Sequence, residues 1–321
     1  MGDAQTENST VEQLGQTNGN HSGKDEGPDV LVEKDGKVGK LILNRPERLN
    51  ALSVSMMRGI EAGLKEFDAD DNISVVIIKG AGRAFCSGMD IREVADQHLN
   101  VTAHEDRQHT DKLGLWFHHT FWEFRKPVIL QLHGYCYAGA CYFLGVTDLV
   151  VAADDAMIGA PESKSFGLEP SLGMWPLTLG PRWTKALLFT GDALDGATAE
   201  RIGMINKAVP EDELDEYTDW LAKKIALTEM PILALHKQTV NMVYDIIGFY
   251  PMLKAGMIFD HMEHREEKFN ELLRRVKEDG VRPALEWIYG PTGGILTKGA
   301  PSFLDGPEGE RRWLESQGRD A

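Results

Sequence analysis

Two glycine-centred segments carry the residue types from which a reactive site could be assembled. The first is Ala84-Phe85-Cys86-Ser87-Gly88-Met89-Asp90-Ile91-Arg92, and the second is His133-Gly134-Tyr135-Cys136-Tyr137-Ala138-Gly139-Ala140-Cys141. Each follows a continuous apolar run, Ser74 to Ile78 and Val128 to Leu132 respectively, and leads towards a helix. Glycine lets a backbone turn sharply and approach a ligand closely. The start of a helix leaves amide N–H groups unpaired at the positive end of the helix dipole. Two such amides converging on one point would form an oxyanion hole, able to stabilise developing negative charge by several kcal/mol. Taken singly, each segment is more simply a turn that requires glycine. Neither spells a phosphate loop or a dinucleotide fingerprint, so nucleotide hydrolysis and NAD chemistry find no support.

These segments need elements to hold them. Lys40 to Leu43 reads as a short strand closed by Asn44-Arg45-Pro46, and apolar residues from Ser53 to Phe67 recur at helical spacing behind a Ser cap. Ser74 to Ile78 is then a buried strand, giving the strand, helix, strand order of a parallel crossover. The rhythm recurs with a helix over 105–125, strands at 128–132, 149–152 and 205–209, and short helices at 139–144, 185–189 and 197–202. Glu213 to Leu227, Pro231 to Ile247 and Leu253 to Lys277 read as three helices with no strand between them. The predicted organisation is a disordered tail over 1–29, a core over 30–228, a helical region over 229–291 and a loosely ordered Gly- and Pro-rich end over 292–321.

The composition narrows the function classes. The 321 residues include 34 Lys plus Arg and 50 Asp plus Glu, a net charge of −16. Acid excess argues against sequence-independent nucleic-acid binding and against docking on anionic membranes. With 42% apolar and 26% charged residues the body is that of a globular protein. Three cysteines, Cys86, Cys136 and Cys141, imply no disulfide framework and suit a reducing compartment. The polar, acidic start lacks the basic and apolar stretches of a secretory signal, so a soluble, cytoplasmic protein is expected.

Several ordered blocks resemble the enoyl-CoA hydratase/isomerase (crotonase) superfamily: Asn44-Arg45-Pro46-Glu47-Arg48-Leu49-Asn50-Ala51-Leu52, then both glycine segments, Asp148 to Ala152, Ala160-Pro161-Glu162, Leu188 to Gly191 and Gly203 to Asn206. The resemblance runs over roughly 35–245. It implies an α/β fold, a spiral of ββα turns followed by helices used in trimer assembly, as a homotrimer or a dimer of trimers. It also implies an acyl-CoA thioester as substrate, with coenzyme A entering as part of that substrate and no separate cofactor. The thioester carbonyl would receive hydrogen bonds from the amides of Met89 and Gly139. Arg48 and Arg92 match positions near the CoA phosphates, and Ala51, Ser87, Asp90 and Ile91 match positions that line pantetheine and adenine.

The acid–base positions match only in part. Hydration in this family uses two glutamates, and the second matches Glu162; the first, three residues beyond Gly139, is Tyr142 here. A phenol with an ordinary pKa near ~10 is a poor base at neutral pH, although it donates a hydrogen bond. Glu169 could supply a second carboxylate, Glu162 could move a proton alone, or another base could serve hydrolytic or C–C-cleaving chemistry. A fold-retaining binding protein without efficient hydratase activity is a further alternative. The family walls its acyl pocket with the 105–125 region, which makes Trp116, His118 and His119 candidates for substrate contact. No metal site is expected: His98, His104, His109, His118 and His119 show no compact ligand spacing, and His261 and His264 with Glu263 and Glu267 read as a charged, solvated helix face. Cys136 and Cys141 have no obvious paired base, which argues against a nucleophilic thiol.

Overall fold

The computed structural model describes residues 27–164, 174–290, 300–316 and 318. The predicted N-terminal tail through residue 26, the alternative carboxylate Glu169 with the rest of 165–173, and, at the predicted loosely ordered end, 291–299, 317 and 319–321 lie outside the described residues.

Among the described residues nine strands form two sheets. Six of them, β1 (Val30–Asp35), β2 (Val38–Leu43), β3 (Val75–Gly80), β4 (Val128–Leu132), β6 (Leu149–Ala153) and β9 (Lys207–Val209), are ordered as β1-β2-β3-β4-β6-β9. β1 and β2 are an antiparallel hairpin, and every later pairing in this sheet is parallel. Val75, Val76, Ile77 and Ile78 are completely buried, as a strand covered on both faces requires. The smaller sheet contains β5 (Tyr135–Tyr137), β7 (Met157–Gly159) and β8 (Ala193–Asp195). Bridges between Cys86 and Cys136, and between Leu52 and Met89, extend this second layer towards the N-terminus.

The chain therefore repeats one motion: up a strand of the large sheet, around a sharp turn, into the second layer, and back through a helix. This is a mixed α/β spiral of ββα turns. The Val54–Ala69 helix begins where expected, with Ser53 Oγ accepting a hydrogen bond from Met56 N at 3.1 Å. The Ala103–Phe117 helix carries a Thr102/Glu105 capping box and runs into a π-helical turn at His118–Trp122. The short strands β5, β7 and β8 have too few residues to show an alternating pattern and were not legible in the sequence.

Helices at Leu214–Ile225, Met230–Ile246, Phe249–Glu263, Glu267–Glu278 and Val281–Tyr289 follow the spiral. The single helix expected over Leu253 to Lys277 is two, broken at His264–Glu266. The break lets Phe269, Leu272, Leu273 and Val276 bury against Ala95 and the Val281–Tyr289 helix, forming a second small core. Met230–Ile246 is tied to the spiral by Lys237, whose buried ammonium donates to Asp148 Oδ2 at 2.8 Å and to Phe121 O at 3.1 Å. A further helix spans Gly306–Ser316, and Phe303 packs on Trp183 just before it. No single helix among the described residues is long and apolar enough to cross a membrane; Met230–Ile246 and Phe249–Glu263 pass that test only as a pair bent by 59°.

Candidate active site

The two glycine segments meet. A Cβ added to Gly88 would lie 2.7 Å from Ala138 Cβ and 3.1 Å from the Gly139 amide nitrogen. One added to Gly139 would lie 2.9 Å from Met89 Cγ and 3.3 Å from the Met89 amide nitrogen. The segments thus press backbone on backbone at the two residues picked out by sequence. Gly88 has φ +99°, and Gly134, whose added Cβ would fall 2.0 Å from Arg83 O, has φ +59°. Ala138 holds φ +53° without being glycine, a left-handed conformation that costs energy and is maintained only by its surroundings. The amides flanking Met89 are used: Gly88 N approaches Cys86 Sγ at 3.4 Å and Asp90 N donates to Leu52 O at 2.9 Å.

A polar scaffold beneath the first segment was not singled out from sequence. Asn50 is fully buried and donates to Ala81 O and Ala84 O at 2.9 and 2.8 Å, while its Oδ1 accepts from Arg45 N at 2.8 Å. Arg45 donates to Ala51 O at 2.9 Å and to Asp90 Oδ2 at 3.1 Å. Asp90 in turn caps the Ile91–His98 helix by accepting from Arg92 N at 3.2 Å. Its side chain is therefore committed to positioning that helix start. The available signal was the Asn44-to-Leu52 block, which holds both Arg45 and Asn50.

The other candidates fall in distinct places. Ala51 is buried, Ser87 and Ile91 are half-buried, and Arg48 and Arg92 are exposed. A cavity bordered by Met89, Leu52 and Met57 runs along the Ile91–His98 helix to His98, His109 and Leu113. Tyr142 begins the helix after Gly139 and is 5% exposed, its ring 4.7 Å edge-on from Phe117. Glu162 sits in the 3-10 turn after β7 at 4% exposure. Burial, with a further contribution from the nearby Glu162 carboxylate, pushes the Cys141 thiol well above its ordinary pKa, which leaves it unsuited as a nucleophile. All three cysteines are free and buried.

Trp116 is 1% exposed and packs against Phe117 and Phe121 in the main core. His118 is enclosed by Trp122, Phe249 and Tyr250, and burial lowers its pKa. His119 lies at the surface, its Nδ1 2.9 Å from Glu123 Oε2. These contacts put His118, which opens a π-helical turn, at the seam with the Phe249–Glu263 helix, and His119 at the surface beside Glu123. A second correction concerns His261 and His264. They belong to no solvated face: their side chains are 15% and 10% exposed and turn inward towards Asp106.

Comparison with known proteins agrees with this geometry. The sequence model described as "Enoyl-CoA hydratase/isomerase" matches residues 33–267. The chain belongs to the enoyl-CoA hydratase/isomerase family. It is 37% identical over 215 residues to a "Probable enoyl-CoA hydratase" of Rhizobium meliloti, covering 66% of this chain and 80% of the relative. It is 34% identical over 232 residues to a "Probable enoyl-CoA hydratase, mitochondrial" of Dictyostelium discoideum, covering 71% and 79%. Among solved structures, an enoyl-CoA hydratase from Mycobacterium smegmatis superposes with a TM-score of 0.77 at 27% identity, over 84% of this chain and 96% of that one. The protein is thus an enzyme of the hydratase/isomerase family, with the fold of those structures.

Proposed function

We propose that this enzyme acts on an acyl-CoA thioester, holding its carbonyl oxygen between the backbone amides of Met89 and Gly139 as the thioester becomes an enolate. The observation that carries this reading is the meeting of the two glycine segments, with the Gly139 Cβ position 3.3 Å from Met89 N and the Gly88 Cβ position 3.1 Å from Gly139 N. Exposed Arg48 and Arg92 supply fixed positive charge for CoA phosphates on an otherwise acidic protein.

Glu162 is the proposed acid–base group. Tyr142, occupying the place of the family's first glutamate, orients water or substrate by hydrogen bonding and takes no proton. One carboxylate suffices to take a proton at one carbon and return it at another, so double-bond migration is the reaction best served; hydration is the alternative. We further propose that a second and third copy cover the apolar surface of the C-terminal helices, where Leu235, Val240, Val243, Ile246 and Phe259 are all more than half exposed. The three buried free thiols fit a cytoplasmic enzyme.

Enoyl-CoA esters of several chain lengths test the reading, with the conjugated thioester followed by absorbance and CoA binding by calorimetry. Glu162→Gln is expected to lower kcat by about 10²–10⁴ with little change in KM. Equal losses in binding and turnover would remove Glu162 from the acid–base role. Tight CoA binding without turnover of any enoyl ester would favour the binding-protein reading that Tyr142 invites. Absence of CoA binding would favour a diketone hydrolase.

A further inference from the structure

Behind the Ile91–His98 helix, three helices converge on one buried carboxylate. Asp106, Thr110 and Gly114 recur every fourth residue along one buried face of Ala103–Phe117. Gly114 lets Phe249–Glu263 pack tightly there, since a Cβ on it would fall 2.4 Å from Met257 Sδ. This brings His261 and His264, one and two turns beyond Met257, against Asp106. From the other side comes His98, whose Nδ1 lies 2.5 Å from Asp106 Oδ1. His264 Nδ1 is 3.4 Å from the same oxygen, and His261 Nδ1 is 2.8 Å from Oδ2. Asp106, His98 and His264 are 1%, 7% and 8% exposed.

Hydrogen bonding leaves this cluster incomplete. Asp106 Oδ2, His261 Nδ1 and His264 Nδ1 are buried and make no hydrogen bond of proper alignment, although two of them lie 2.8 Å apart. Buried polar atoms without partners are costly, and when they converge they mark the place of something that completes them. One ligand atom each from His98, Asp106 and His264 lies within 4.8 Å of the others.

We propose that His98, Asp106 and His264 bind a divalent transition-metal ion of the zinc class, with His261 holding the second oxygen of the Asp106 carboxylate. Two imidazoles and a carboxylate are the donors such ions prefer, whereas magnesium and calcium favour all-oxygen sites. Bonds of about 2.0–2.1 Å place tetrahedral ligand atoms roughly 3.3 Å apart. The His264–Asp106 separation of 3.4 Å already matches this. The His98–Asp106 pair widens by less than about 1 Å as the ion replaces the proton between them. Asp260 Oδ1, 3.8 Å from His264 Nε2, adds negative charge behind that ring. Arg265, 3.9 Å from Asp106 Oδ2, is the opposing cation, and at 38% exposure its side chain is free to swing into solvent. Three protein ligands leave one position for water. The ion would staple the Ile91–His98 helix, which carries the Met89 turn at its start, to the C-terminal helices; the inference stands apart from the thioester reading.

The test uses the untagged full chain, stripped with a chelator and titrated with ZnCl₂, CoCl₂ or MgCl₂. One Zn²⁺ per chain is expected by calorimetry, with visible absorption of a four- or five-coordinate site for Co²⁺. Saturating Zn²⁺ should raise Tm by at least about 3 °C, and Mg²⁺ should leave it unchanged. Asp106→Asn and His264→Gln should each weaken Zn²⁺ binding by more than about 100-fold, His261→Gln by about 10-fold, and His119→Gln, at the surface beside Glu123, not at all. Should Asp106→Asn or His264→Gln fail to fold, the Co²⁺ spectrum of the wild type decides. Absence of saturable one-to-one binding in the wild type, or loss of it in His119→Gln alone, overturns the proposal.

Discussion

The molecule contains two polar centres built in opposite ways, one on each side of the Ile91–His98 helix. At its N-terminal side, the Met89–Gly139 junction is made of backbone: glycines at 88 and 134 with positive φ, and a strained Ala138. At its C-terminal side, the Asp106 cluster is made of side chains brought from three helices. The first centre depends on where the main chain can go. The second depends on which side chains face inward.

The comparison can be broken hardest at the backbone. Gly88→Ala forces a Cβ against Ala138 Cβ at 2.7 Å at a φ of +99°, so turnover of an enoyl-CoA ester should fall by at least about 100-fold, while Zn²⁺ binding at the Asp106 cluster is retained. Turnover preserved in that variant would show that the junction is not the catalytic centre. A side-chain joint gives the next effect. Lys237→Ala leaves the Asp148 carboxylate without its buried partner, and should cost about 3 kcal/mol in denaturant unfolding, the low end for such pairs because Asp148 is partly exposed. A loss below about 1 kcal/mol would mean that the joint is no stronger than a surface ion pair.

The smallest expected effect is a pH slope. Burial lowers the pKa of His118 below its ordinary 6.5, so below pH ~6.5 the unfolded chain binds a proton that the folded chain resists. Stability should therefore fall as pH drops below about 6.5, and His118→Leu should flatten that slope. An unchanged slope in the variant would assign the acid sensitivity elsewhere.

Much of the backbone site was legible in the sequence because its signals are local. Gly88, Gly134 and Gly139 each lie in a segment that follows an apolar strand run, and glycine in such a segment reports a turn or close approach. Ser53 as a cap and Val75 to Ile78 as a buried strand were readable for the same reason. The length of the 253–277 helix was not, because the break at His264–Glu266 is stabilised by contacts of Phe269 with His264 and the second core, not by a Pro or Gly. His118 and His119 were candidates through the family resemblance of the 105–125 region, and the π turn at His118–Trp122 was not legible in the sequence.

What the amino-acid order determined by itself is the longer strands, the Ser53 cap and the positions of the two glycine turns, since each is governed by residues next to one another, while the spiral followed from the resemblance of several ordered blocks. Tertiary structure alone decided that Arg45 and Asn50 brace the first turn, that Lys237 pins a C-terminal helix, and that His98, Asp106, His261 and His264 face one another. Those residues are separated by whole helices, and a side chain's partner across such a gap is set by packing, on which its own neighbours along the chain carry no information.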